Sequence, residues 1–215
     1  MGVLQKRSFE FEVRAEETES GEKIITGRPI VFNSRTNIGP FDEVIKPGAL
    51  NNTDLTDVRF LVNHNTDMIP LARSRRNNGN STMKITPDAD GLNIDFVKLD
   101  VENNADARAL YSAVKRGDIS GMSFMFYIRE GSDTWENLDT DHPTRYINTI
   151  ESVVEVSAVT FPAYEATEIY ARDKQAALDN AKLALENARS EARAALVDTN
   201  ELELLKSKTK ILGGF

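Results

Sequence analysis

Between Ser8 and Phe161 apolar side chains recur mainly at every second position, and this alternation constrains the fold more than any other feature of the chain. In Ser8–Arg14, Phe9, Phe11 and Val13 fall on one face and Glu10 and Glu12 on the other. Lys23–Phe32 reads as a second strand, broken around Gly27–Pro29 as at a bulge or an edge. Asp42–Ile45 and Val58–Val62 are short apolar strands, the second leading straight into Asn63-His64. Ser81–Thr86 and Gly91–Leu99 are joined by a Pro87–Gly91 turn. Gly121–Arg129 and Ser152–Phe161 alternate again, and Pro162 ends the last run. Arg73–Ser81 and Glu130–Thr144 are polar and read as loops, the second a long hairpin connection.

Only Asn104–Arg116 switches to helical spacing within this stretch, with Gly117 where a C-cap glycine belongs. Many strands with few strand–helix alternations imply an α+β protein. The expected body is a mostly antiparallel β-barrel or sheet of about six or seven strands with peripheral helices. Beyond Tyr170 the pattern changes. Residues 171–215 lack Pro, His and Trp, and Leu178, Ala181, Leu185, Ala188, Ala192, Ala195, Thr199 and Leu202 form a heptad-like seam. The chain therefore divides into a body over 1–170 and a helical C-terminal extension over 171–215. An alanine-rich seam either packs on its own domain or contacts a partner weakly.

Composition narrows the function. The 215 residues carry a formal charge of −8, a poor basis for holding nucleic acid through its phosphates or for reaching an acidic membrane surface. No run approaches the length of a membrane span, and the N-terminus lacks a signal-peptide core, so a soluble, intracellular protein is expected. The chain has no cysteine, which excludes disulfides, zinc–thiolate sites and thiol nucleophiles. With two histidines, His64 and His142, a three-histidine metal site is impossible. HExxH and EF-hand spacings are missing too, so a metal hydrolase ranks last.

Four positions could carry chemistry. His64 follows an apolar strand, at a strand end where sites are commonly built, although a lone histidine there is more often a surface group with one hydrogen bond. His142 lies in an acidic loop and is the weaker candidate. Ser123 sits at the mouth of the Gly121–Arg129 strand, close to Gly121; Met125 occupies the second glycine position of a Gly-x-Ser-x-Gly elbow, which disfavours an α/β-hydrolase. Glu155 is a carboxylate among valines, a costly placement unless an arginine, the Ser157 hydroxyl or an imidazole partners it.

Four blocks then make a resemblance specific: EVIKPGAL at Glu43–Leu50, FLVNHNTDMIPLARS at Phe60–Ser74, AVKRGDISGMSFMF at Ala113–Phe126 and VVEVSAVTFPAYEAT at Val153–Thr167. In order and spacing the chain resembles the HK97-type prohead serine proteases of tailed phages over roughly residues 5–170, a family similar in fold to the herpesvirus assemblins. The resemblance implies a serine endopeptidase without a cofactor. It would act in the host cytoplasm within the phage procapsid, on the major capsid protein and scaffold and often on itself. It involves no nucleic acid or membrane and allows a homodimer. Carried over by block, His64 is the general base, Ser123 the nucleophile and Glu155 the third member. Many relatives have Asp directly after the histidine, where this chain has Asn65 with Asp67 two residues on, so Glu155 and Asp67 both stand as groups that could orient the ring. The alternative from another class is a non-enzymatic scaffold or assembly protein acting through residues 171–215.

Overall fold

A computed structural model describes residues 3–9, 13–75, 80–160 and 171–212. The described residues form thirteen strands in three sheets and two helices. The α+β class and the antiparallel-rich sheets agree with the alternation, and the C-terminal stretch is a helix. The sheets remain open, and the strand count is about twice the six or seven expected.

The extra strands are short. β4 (Arg35–Asn37), β5 (Asp42–Ile45), β7 (Ala72–Arg75), β11 (Asp133–Glu136) and β12 (Thr144–Ile147) have three or four residues each. Only β5 was legible as a strand; β7 and β11 fall in the stretches that read as loops. The alternating run Ser8–Arg14 contributes to both β1 (Val3–Phe9) and β2 (Val13–Glu17). Its middle, residues 10–12, and the Pro162 strand stop lie outside the described residues.

Two sheets frame the site without building it. In the first, β2, β3 (Lys23–Val31), β9 (Gly91–Leu99) and β8 (Met83–Pro87) run in that order, all antiparallel. β3 carries the expected irregularity, with register shifts on both sides of Gly27. Helix α1 (Ala105–Arg116) packs there through Ala107, Leu110 and Val114. The Asn104 side chain accepts the backbone N–H groups of Asp106 and Ala107, and Gly117 closes the helix at φ 81°.

In the second sheet the order is β11–β12–β5–β4, and a buried Arg145 binds Glu43 at 3.2 Å and Asp133 at 2.6 Å. Phe41 stands beside it, edge-on to Trp135, and receives Ala181 and Leu185 of α2 (Ala171–Leu212). Arg189 of α2 donates to the carbonyls of Leu138 and Thr140. The first half of the seam thus packs on the chain's own sheet, whereas Leu196 and Val197 further along stay exposed.

The third sheet positions the chemistry. Its order is β1–β10–β13–β6–β7, with β6 at Asp57–Val62, β10 at Gly121–Ile128 and β13 at Ser152–Val159. One face is core: Met122, Phe124 and Phe126 of β10 lie against Val156 and Ala158 of β13 and Val58 and Phe60 of β6, all fully buried. Each such side chain contributes on the order of 1.5–3 kcal/mol, which fixes the register. The alternate residues Ser123, Glu155, Ser157 and Arg59 must then point to the opposite face.

Candidate active site

Strand direction gathers the three candidates. β13 and β6 are parallel, so their C-terminal ends lie side by side; β10 is antiparallel to β13, so its start meets the end of β13. Ser123, near the start of β10, stands directly opposite Ser157 in register. Glu155 lies two residues before Ser157 on the same strand and face, and Ser157 is in register with Leu61 of β6. His64 follows the end of β6 by two residues.

The chain after Val62 folds back over this face through two consecutive left-handed residues, Asn63 at φ 52° and His64 at φ 57°. Asparagine tolerates that region; for histidine it costs roughly 1–2 kcal/mol and persists only where neighbours impose it. Asn63 supplies the restraint. Its backbone N–H donates to the Ala158 carbonyl at 2.9 Å, its side-chain amide donates to Thr160 Oγ1 at 3.0 Å, and its side-chain oxygen accepts the Thr160 N–H at 2.9 Å. These bonds tie the turn to the end of β13. The His64 backbone N–H then donates to Ser157 Oγ at 3.2 Å.

The His64 ring is 2.6 Å from Glu155 through Nδ1, and both side chains are almost wholly buried, 5% and 2% exposed. An ionised carboxylate only accepts, so in the neutral imidazole this contact places the proton on Nδ1 and the lone pair on Nε2. Nε2 is buried and has no hydrogen-bond partner among the described residues. The other carboxylate oxygen of Glu155 accepts the Ser157 hydroxyl at 2.5 Å. A carboxylate among valines is therefore satisfied on both oxygens, by two of the partner types its sequence setting called for. Ser157 uses its one proton on Glu155 and accepts from the His64 backbone, so its hydroxyl is committed to holding the other two groups.

The other candidates separate from this cluster. Asp67 is exposed and its backbone N–H caps onto Asn65 Oδ1. His142 bonds Asp42 at 2.9 Å through Nε2, on the partly exposed rim of the second sheet. Burial raises the Asp42 pKa, but bonds from His142 and Arg35 outweigh it and hold the carboxyl below its ordinary value. The Arg73 backbone N–H donates to Thr82 Oγ1 at 2.9 Å. Among the described residues no group of three or more His, Asp or Glu is arranged to hold a metal ion.

Asn63 and Thr160 were not singled out from the sequence. The available signal was Asn63 itself, a residue type at home in left-handed backbone, placed directly before a histidine at a strand end.

A family model of the caudovirus prohead serine proteases matches residues 9–181, about four-fifths of the chain, and the chain belongs to that family. No significant match is found among curated proteins or among solved structures. The match runs past Tyr170 to the part of α2 where Ala181 packs on Phe41. No helix among the described residues is long and apolar enough to cross a membrane.

Proposed function

We propose that the chain is a serine endopeptidase of phage capsid maturation that cuts segments from capsid and scaffold polypeptides inside the procapsid, and then itself. Ser123 is the nucleophile, His64 the general base and Glu155 the group that orients the ring. The observation that carries this reading is the buried His64–Glu155 contact, which leaves a basic nitrogen without a partner on the face that bears Ser123.

Chemistry follows from the protonation states. As Ser123 Oγ bonds to the scissile carbonyl carbon, its proton passes to His64 Nε2. Glu155 stabilises the imidazolium so formed and keeps Nδ1 protonated without taking the proton. The imidazolium then protonates the departing amine, which leaves an acyl-serine. Water, deprotonated by the same nitrogen, releases the acid and restores Ser123. Ser123 is fully buried. A substrate carbonyl therefore reaches it only when neighbouring segments part, so substrate entry and opening of the site are coupled.

The test is a fluorophosphonate probe combined with co-expression of the phage capsid protein. Wild-type protein should take one label and cut the capsid protein, and Ser123→Ala should do neither. Capsid cleavage by Ser123→Ala would overturn the assignment. Retained labelling in Ser157→Ala would separate the two neighbouring hydroxyls.

The exposed distal half of α2, with Leu196 and Val197 uncovered, supports a second role alongside the first: a tether in an extension over 171–215 that recruits a catalytic domain over 1–170. Deleting residues 191–215 spares the contact with Phe41. It should lower incorporation into procapsids while capsid peptide is still cut; unchanged incorporation would discard the tether.

A further inference from the structure

The outward face of the third sheet carries more than the proposed relay. One row across it contains Met125 of β10, Glu155 of β13, Arg59 of β6 and Arg73 of β7. The next row toward the β6 start pairs Asp57 with Arg75. Asp57 thus lies among three arginines. Arg73 forms a forked pair with it, Arg59 reaches it at 3.4 Å, and Arg75 adds to the field that, with the Arg73 bond first and burial opposing, holds the Asp57 carboxyl below its ordinary pKa. The residues of the facing connection that bond the backbones of Arg73 and Arg75 are Thr82 and Ser81, both neutral. Arg59, Arg73 and Arg75 stand against Asp57 and, on the neighbouring strand, Glu155, whose two oxygens are taken by His64 and Ser157; three guanidinium groups against two carboxylates still leave an excess of positive charge, in a chain whose formal charge is −8. The Arg59 and Arg73 side chains are 38% and 34% exposed, so solvent and ligand reach them.

We infer that Arg59 and Arg73 form a subsite for an acidic side chain of the substrate polypeptide. The inference rests on the proposed peptidase reading and deepens it. Arg59 lies two strands and one two-residue step from Ser123, which places the two Cα atoms about 12 Å apart at ordinary sheet spacings. An extended peptide advances about 3.3 Å per residue. A carboxylate side chain two to four residues from the scissile bond is then the one within reach. Guanidinium forks match carboxylates in bidentate geometry, and the single Asp57 leaves donors of Arg59 unused by its one long contact. An acidic enzyme repels acidic polypeptides at long range, so a local basic patch beside the relay selects where along such a chain cleavage occurs.

The experiment uses full-length enzyme and peptides spanning the capsid cleavage site, located by mass spectrometry of the co-expressed product. Each position within four residues of the cut is made Glu or Gln in an otherwise neutral background. One position should favour Glu by about tenfold or more in kcat/KM at low salt, mainly through KM, and the preference should fade with added salt. In Arg59→Gln the Glu-to-Gln ratio at that position should fall to near one. If Arg59→Gln does not fold, Arg73→Gln and the salt titration of the wild-type enzyme supply the same comparison. Equal use of Glu and Gln at every position, or a preference that survives both the substitution and high salt, overturns the subsite. Fluorophosphonate labelling of Ser123 in the wild-type enzyme needs no peptide. Labelled enzyme without a Glu preference therefore refutes the subsite alone, and enzyme that never labels refutes the relay.

Discussion

Replacing Glu155 by Gln keeps the side-chain shape and removes the charge beside His64. Imidazolium and carboxylate charge centres in contact at 2.6 Å between Nδ1 and Oε1 lie about 4 Å apart. At an effective dielectric constant of about 20 their attraction is about 4 kcal/mol. The charge is only partly developed when the Ser123 proton transfers, so about 2–4 kcal/mol of barrier lowering is at stake, roughly 30- to 1,000-fold in rate. A tautomer effect adds to this. The Ser157 hydroxyl donates to the second carboxylate oxygen, which favours placing the amide oxygen there and turning the amide NH2 toward the ring. Nδ1 then becomes an acceptor, and the proton moves to Nε2, where the base must be empty. The expected result is a fall in kcat of about 10²–10⁴ with KM changed by less than about threefold, measured on a capsid-derived peptide. Thermal stability should hold, because removing a buried charge offsets the weaker bond to His64. A folded Glu155→Gln enzyme within tenfold of wild-type kcat would refute the relay, and a large loss in Asp67→Asn would transfer the role to that residue.

Other outcomes follow from single contacts. Asn63→Ala removes both side-chain bonds to Thr160 and should lower kcat more than it alters KM, with a stability loss of about 1–3 kcal/mol seen in thermal melts; wild-type kcat would show that the turn needs no such tie. Gly91 stands at φ 150°, and a Cβ added there would collide with the Ile30 carbonyl oxygen, so Gly91→Ala should cost at least about 2–4 kcal/mol and lower Tm by roughly 5–15 °C; an unchanged Tm would mean that β3 and β9 approach less closely. The Arg28 fork, against the opposing effect of burial and with the Asp90 and Gly91 backbone N–H groups adding to it, holds the Asp88 carboxyl at about 2. Its contribution to stability is then complete above the ordinary carboxylate pKa and fades as pH falls through about 2. The Tm advantage of wild type over Asp88→Asn should therefore shrink between pH 5 and pH 2, and a gap that widens on acidification would reverse the assignment. His142→Ala should leave capsid-peptide cleavage within about twofold, since His142 bonds Asp42 on another sheet.

The sequence was most informative where one face of a strand is fully buried. β10 alternates Met122, Phe124, Phe126 and Ile128 against Ser123, Met125 and Tyr127, and the structure buries the first set among Val156 and Phe60. α1 was legible from its period and its Gly117 stop, which is set by the need for a left-handed cap. The strands that escaped notice are three or four residues long, too short for a period to declare itself, and the surrounding sheet holds them rather than their own pattern. β11, DTWE, reads as loop and becomes a strand because Trp135 stacks edge-on to Phe41 and its backbone pairs with β12. The heptad-like seam of α2 is one continuous pattern in sequence. In three dimensions it divides, because the Phe41 patch is long enough to cover Ala181 and Leu185 and ends before Leu196.

The candidate site was readable residue by residue but not as an arrangement, and the reason lies in the strand order. A period-two pattern fixes which face a side chain takes; it does not say which strands are neighbours or which way each runs. Here β6 lies beside β13, ninety-odd residues later in the chain, and the pair is parallel, one of the exceptions that a mostly antiparallel expectation leaves unplaced. Antiparallel pairing would have set the His64 end of β6 against the start of β13, a strand length away from Ser157. The parallel pair instead lets the His64 backbone reach Ser157 and the ring reach Glu155. What brings a strand-end histidine onto Glu155 and Ser157 is therefore two local facts invisible to periodicity: the direction of one strand pair and two left-handed residues held by Asn63. The second is testable through a single position. Asn63→Gly should ease the first left-handed residue yet abolish the bonds to Thr160. Activity that survives Asn63→Gly but not Asn63→Ala assigns the requirement to backbone shape, and loss in both assigns it to the tie.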